Sequence, residues 1–405
     1  MKRIAFLLFC ICCISCLADK WEEIDVKGSK KPEARYGHSV VTYNGQYYIA
    51  CGTPDDSIGF SDVWRMNVTD SSQTFTQIYT PKDNDEFQGV RGHATLLFNN
   101  KLYVLFGYTN AYNNNTCIYS YNFTENKWTE EYDIMKTLCL DDDPFTTRDQ
   151  FYARCNFAAA SISNYIYIFG GEKAANGYSD EERAFLIEGD QIFGYFSYSS
   201  INGEWTFKKQ ALRQDAPSAR YGHSMISIDR TLYLFGGRDN QTAFNTIWKY
   251  SESEKTWEEI DTKQSESDIP EARCFHTMHL HLNKEFWILG GKDIHGKTLN
   301  DVWKFDIVKE KWTKYDTVES PISFAKAGSV LQEGKEMKIY IWGGETDTRG
   351  MLSQDIIYKY TTTIEDKDKD KDKDKKKDSN TIKCGVLGIE FVILALLFQR
   401  MRRRQ

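Results

Sequence analysis

An all-β fold of six repeated units, each of four short strands, is predicted by three features of the sequence. Aromatics make up 14% of the 405 residues, with 10 Trp, 24 Tyr and 24 Phe. Such side chains suit the pleated, half-buried surface of a strand. An apolar run closing on a Gly pair, or on its remnant, occurs six times. After each comes an aromatic-x-aromatic segment, and after most of these a strand with a single Trp.

At the amino terminus, Lys2 and Arg3 precede an apolar run from Ile4 to Leu17, and Ala18 is a small residue at the cut. Residues 1–18 read as a secretory signal peptide. Cys10, Cys12, Cys13 and Cys16 would leave with it. Lipoprotein processing before Cys16 fits less well, because Cys13 stands where Leu is usual.

The repeated domain follows over residues 19–362. The glycine-terminated strands are YYIACG (47–52), LYVLFG (102–107), YIYIFGG (165–171), LYLFGG (232–237), FWILGG (286–291) and IYIWGG (339–344). Their last glycines step by 55, 64, 66, 54 and 53 residues. Before three of them lie PEARYGHS (32–39), PSARYGHS (217–224) and PEARCFHT (270–277). The following strands carry Trp64/Met66, Tyr119/Tyr121, Phe193/Tyr195, Trp248/Tyr250, Trp303/Phe305 and Tyr358/Tyr360, and the fourth strands Phe75, Trp128, Trp205, Trp257 and Trp312. A fixed period of this size marks a repeat architecture.

The pattern resembles kelch repeats, with a double glycine after the second strand, an aromatic on the third and a Trp on the fourth. The resemblance covers nearly all of residues 20–360 and implies a six-bladed β-propeller with aromatics wedged between blades. Glycine suits the exit from the second strand because it accepts positive φ and close backbone approach. The sixth unit stops after its third strand at Tyr360 and lacks a Trp strand. The segment WEEI at 21–24 is identical to WEEI at 257–260, so the first strand is expected to complete the last blade and remove an open edge.

Beyond the repeats, residues 363–381 read as a hydrated stalk, since 365–378 holds seven acids, seven bases and no apolar residue. Residues 382–399 read as a membrane-spanning helix: 384–398 is apolar except for Glu390, and Arg400, Arg402, Arg403 and Arg404 follow in a basic cytoplasmic tail, 400–405. The stretch is short against ~20 residues. A removed lipid-anchor signal is the alternative, disfavoured by the terminal arginines. Glu390 at mid-span is the handle for a membrane partner. Together these segments predict a single-pass type I protein of the cell surface or endomembrane system.

In a four-stranded blade, the loop between strands two and three and the connection between blades emerge on one face, the top. The longest irregular segments, 108–116, 133–154 and 172–190, all fall there, in units 2 and 3. They carry Tyr108 and Tyr112, and Asp141, Asp142 and Asp143, as candidate ligand-binding residues. Arg35, Arg154, Arg220 and Arg273 precede the innermost strand in four units, where a ring of guanidinium groups could hold an acidic ligand; their recurrence with the repeat also fits a structural role. His38, His93, His223 and His276 share the phase and read as packing residues. Three adjacent Asp without alternation make a poor calcium loop, so neither a metal nor a cofactor is expected. Cys139 and Cys155 flank the longest connection and are a candidate disulfide. Asn67, Asn114, Asn122 and Asn240 head N-x-T sequons and are candidate glycosylation sites.

The net charge of −7, from 58 acids and 51 bases, argues against nucleic acid as a partner. No Ser–His–Asp signature with a nucleophile elbow and no Asp box is present. The expected function is recognition of a protein or glycan on the lumenal or extracellular side, rather than catalysis. The alternative is a lumenal sugar-processing enzyme, similar to a kelch mutarotase or to galactose oxidase.

Overall fold

The computed structural model describes residues 20–363, apart from 56–58, 69–72, 84, 110–114, 134–153, 174–191, 202–203, 214, 316–323, 333–335, 348–349 and 353. The chain divides into two units after Thr363, and the second, 364–405, lies outside the described residues. So do the expected signal peptide, membrane span and tail, and all of the stalk except Thr363, which ends a strand. Among the described residues no helix is long and apolar enough to cross a membrane.

Six four-stranded antiparallel sheets form six blades. Five of them run in simple chain order over 39–79, 94–133, 158–209, 224–259 and 277–315. The sixth takes three strands from 328–363 and its outermost from Lys20–Asp25. That strand pairs with Ile356–Thr363, setting Trp21 opposite Tyr360 and Glu23 opposite Tyr358. The expected closure is therefore what the fold uses. A two-residue ladder, Arg154–Cys155 against Glu172–Lys173, is an additional element at the top of blade 3.

The core is divided into six apolar clusters, each between two neighbouring blades. Between blades 3 and 4, for instance, Tyr167, Phe169 and Phe193 meet Leu232, Leu234, Tyr250 and Trp257. The Phe193 and Trp257 rings are 5.2 Å apart and edge-on, the arrangement that ring quadrupoles favour. The closing strand belongs to the cluster between blades 5 and 6, where Trp21 lies with Trp287, Leu289 and Tyr360.

The glycine code has a steric cause. The last glycine of every pair has a left-handed φ, from 87° at Gly52 to 101° at Gly344. A Cβ at Gly52 would lie 2.6 Å from the Cβ of His38, and one at Gly237 would lie 2.8 Å from that of His223. No side chain fits there. The first position of the pair is more tolerant, and Cys51 and Phe106 adopt φ of 64° and 52°. Where it is glycine, the space belongs to the next blade: a Cβ at Gly343 would lie 2.6 Å from the His38 ring, and one at Gly236 2.9 Å from His276. The repeat-phased histidines are thus packing residues, as their phase suggested.

Candidate functional site

The top face converges on the channel mouth. Just before each innermost strand one residue adopts a left-handed conformation: Gly37, Gly92, Asn156, Gly222, Phe275 and Lys326. The amide of each donates to the carbonyl of its counterpart in the preceding blade. The distances are 3.4 Å from Gly92 to Gly37, 2.7 Å from Asn156 to Gly92 and 2.7 Å from Gly222 to Asn156. They continue at 2.7 Å from Phe275 to Gly222, 3.1 Å from Lys326 to Phe275 and 3.0 Å from Gly37 back to Lys326. A closed ring of six backbone hydrogen bonds encircles the mouth.

A cavity of about 180 Å³ sits at this ring. Lys326 reaches over it, with Nζ 4.8 Å from the centre of the Phe275 ring, 5.2 Å from that of Tyr36 and 3.2 Å from Glu345 Oε1. Lys292 Nζ lies 2.6 Å from the same oxygen. On the opposite side, Arg91 covers the Tyr108 ring at 4.7 Å, and Tyr108 donates its hydroxyl to Glu172 Oε2 at 3.2 Å. The Cys155 thiol points at that oxygen from 3.7 Å. Burial pushes the Glu172 carboxyl above its ordinary range. With Arg238 near the Tyr221 ring, the mouth gathers, among the described residues, four cations against two carboxyls, one of them biased toward its neutral form. The described part of this surface is cationic and aromatic, on a chain of net charge −7.

Of the residues singled out in the sequence, Tyr108 is at this mouth. Tyr112, Asp141, Asp142, Asp143, Asn114 and Cys139 lie outside the described residues. The described stems of all three long segments nevertheless meet here, at Tyr108, Cys155 and Glu172. Cys155 is buried as a free thiol, and its expected disulfide partner, Cys139, is not described. Asn67 bonds Thr76 Oγ1 at 3.0 Å from the third strand of blade 1, Asn122 accepts the amide of Thr124 at 2.9 Å in a turn, and Asn240 is exposed in a top loop.

The arginine ring differs from the expected ligand holder. Arg35, Arg154, Arg220 and Arg273 are all buried, each donating to the carbonyl of the first residue in its blade's glycine pair: Cys51, Gly170, Gly236 and Gly290. Arg35 is also paired with both oxygens of Asp62, at 2.5 and 2.9 Å, and Arg273 with both of Asp301, at 2.5 and 2.7 Å. The same carboxylates accept the indole N–H of Trp64 and Trp303. In blade 4 Thr246 replaces the acid, and burial lowers the Arg220 guanidinium to about 10. In blades 1, 4 and 5 these side chains fasten the second strand to the start of the third, because an unpaired guanidinium could not remain buried there. The signal was in the sequence as Asp-Val-Trp at 62–64 and 301–303. Asp301→Ala should leave Arg273 charged and uncompensated, costing about 3–5 kcal/mol in a urea melt; a loss below about 1 kcal/mol would count against the lock.

Among the described residues, Cys117, Glu130 and Asp133 at the rim of blade 2 bring three donor atoms within 4.8 Å of one another. Sequence reasoning did not find this group, because a β-bulge between Ile118 and Tyr119 sets Asp133 opposite Cys117.

Comparison with known proteins finds two family models. One described as the KLHDC2/KLHL20/DRC7 Kelch-repeats domain matches residues 132–344, and one described as the Attractin/LZTR1 beta-propeller matches 9–137. The chain is similar to Kelch repeat-containing protein 2 of Saccharomyces cerevisiae, 25% identical over 331 residues, covering 80% of this chain and 35% of that protein. It is similar to human Kelch domain-containing protein 10, 27% identical over 338 residues, covering 79% and 68%. Human Kelch domain-containing protein 3 is 29% identical over 205 residues, covering 49% and 50%. The chain thus spans from about a third to just over two thirds of the length of these relatives.

Proposed function

The chain belongs to the kelch-repeat β-propeller family, and from that premise we propose that its partner is a protein that docks an acidic segment at the upper mouth of the channel. Propellers of this family are generally protein-interaction modules. The observation that carries the reading is the cation-rich, aromatic mouth formed by Arg91, Arg238, Lys292 and Lys326 with Tyr36, Tyr108 and Phe275. Lys326 is one of the six left-handed residues of the hoop, with φ of 51°. The rings offer apolar contact, and the guanidinium and ammonium groups offer charge-assisted bonds to carboxylates. The proposal includes a membrane tether through 382–399, supported by that segment's apolar composition and the arginines after it.

The test is a peptide-array screen with the full chain. Bound peptides should be enriched in Asp and Glu. Arg91→Glu with Arg238→Glu should weaken them by about tenfold or more, roughly 1.4 kcal/mol, while raising salt weakens the intact protein in the same direction. Binding that ignores both the substitutions and the salt would remove the mouth from consideration.

A further inference from the structure

The lower half of the channel has a different chemistry from the upper mouth. A cavity of about 560 Å³ opens there between the innermost strands of blades 1, 5 and 6. Its volume falls in the ~300–1,000 Å³ range of small-molecule sites. Val40, Leu280, Val330 and Leu331 supply apolar wall. Polar groups share the lining: Ser329 Oγ and His279 Nε2 are 2.7 Å apart, and Thr42, Tyr47 and Gln332 are the other polar lining residues. No Asp, Glu, Lys or Arg lines this cavity among the described residues. Burial lowers the His279 imidazole to about 4, so it stays neutral near pH 7.

We propose that this lower cavity is a binding site for an uncharged, ring-sized small molecule that combines an apolar face with a hydrogen-bonding head, the head received by Ser329 and His279. A charged ligand would leave water without meeting a counter-charge, at a cost of several kcal/mol. An apolar ligand without a polar head would shut water away from the serine and glutamine without replacing its hydrogen bonds. The site is independent of the protein partner at the upper mouth, which selects for the opposite property, negative charge.

Coumarin, a neutral bicyclic ring with one carbonyl, is the probe, and coumarin-3-carboxylate is its charged counterpart. Saturable coumarin binding by the full chain, followed by saturation-transfer NMR, is expected, with the carboxylate weaker by about tenfold or more. Thr42 is exposed, so Thr42→Trp should fill the cavity without disturbing the fold, abolishing coumarin binding at unchanged Tm. Leu331→Trp fills it from the neighbouring blade and should have the same effect on binding. Arg91→Glu, at the upper mouth, should leave coumarin affinity unchanged. The proposal is overturned if coumarin shows no saturable binding, if the carboxylate binds equally well, or if affinity survives in Thr42→Trp.

Discussion

Between pH 7 and pH 5 the propeller should lose about 6 kcal/mol of folding stability, enough to bring it close to unfolding. The cause is three buried imidazoles. His38, His223 and His276 are less than a tenth exposed. Burial, reinforced by Arg35, Arg220 and Arg273 respectively, lowers each from 6.5 to about 3. Asp301 acts in the opposite direction on His276 but does not offset its burial. Because the folded-state values are depressed, the unfolded chain takes up protons first as pH falls below 6.5. Stability is then lost progressively until about pH 3. Between pH 7 and pH 5 each group contributes roughly 2 kcal/mol of this loss, from ~1.4 kcal/mol per pH unit below 6.5. His93 and His279 are lowered as well, to about 3 and about 4, and add a smaller share because they are only partly buried. Glu172, whose carboxyl is raised, works the other way but is one group against five. Urea melts across this pH range measure the slope directly. His223→Gln should reduce it by about 1.4 kcal/mol per pH unit between pH 6 and 4; an identical slope in the variant would show that the acid sensitivity lies elsewhere.

Deleting residues 20–25 should abolish cooperative melting. The strand contributes one full edge of blade 6, with backbone pairing from Lys20 opposite Thr361 to Asp25 opposite Ile356. It also contributes Trp21, whose ring lies 5.3 Å from Tyr360 within the cluster between blades 5 and 6. Without it, the apolar side of that cluster meets water and Ile356–Thr363 becomes an unpaired edge, prone to pair with another chain. Trp21→Ala isolates the side-chain part and should cost about 3–5 kcal/mol. A deletion variant that melts like the intact protein would falsify the closure as a stability determinant.

The blades were legible because their signals have steric causes that every copy must obey. The last glycine of each pair cannot carry a Cβ, so it recurs without exception from Gly52 to Gly344. The fourth-strand tryptophans recur because each fills a wedge between sheets. The missing Trp after Tyr360 exposed the closing strand for the same reason. The site was less legible. The arginines recur, as a conserved ligand ring would, but they recur because Asp62, Thr246 and Asp301 and the glycine-pair carbonyls need them inside the blade. The mouth itself is built from positions whose residue varies among the blades: Tyr36, Arg91, Cys155, Tyr221, Cys274 and Ala325 beside the ring, and Thr53, Tyr108, Glu172, Arg238, Lys292 and Glu345 opposite them in isolated bridges and the short ladder. Apart from Tyr36 and Tyr221 in the recurring ARYGHS motif, no repeated residue marks such positions as a mouth, which is recognised when the blades are compared in space.

That irregularity follows from how the mouth is held together. The amides of Gly37, Gly92, Asn156, Gly222, Phe275 and Lys326 form the hoop through main-chain atoms alone, and residues as different as Gly, Asn, Phe and Lys occupy its positions. Each blade can exchange its contribution to the rim while the hoop stays intact. The rim is in effect an interchangeable six-slot lock plate, in which specificity can drift one slot at a time without the barrel behind it having to change.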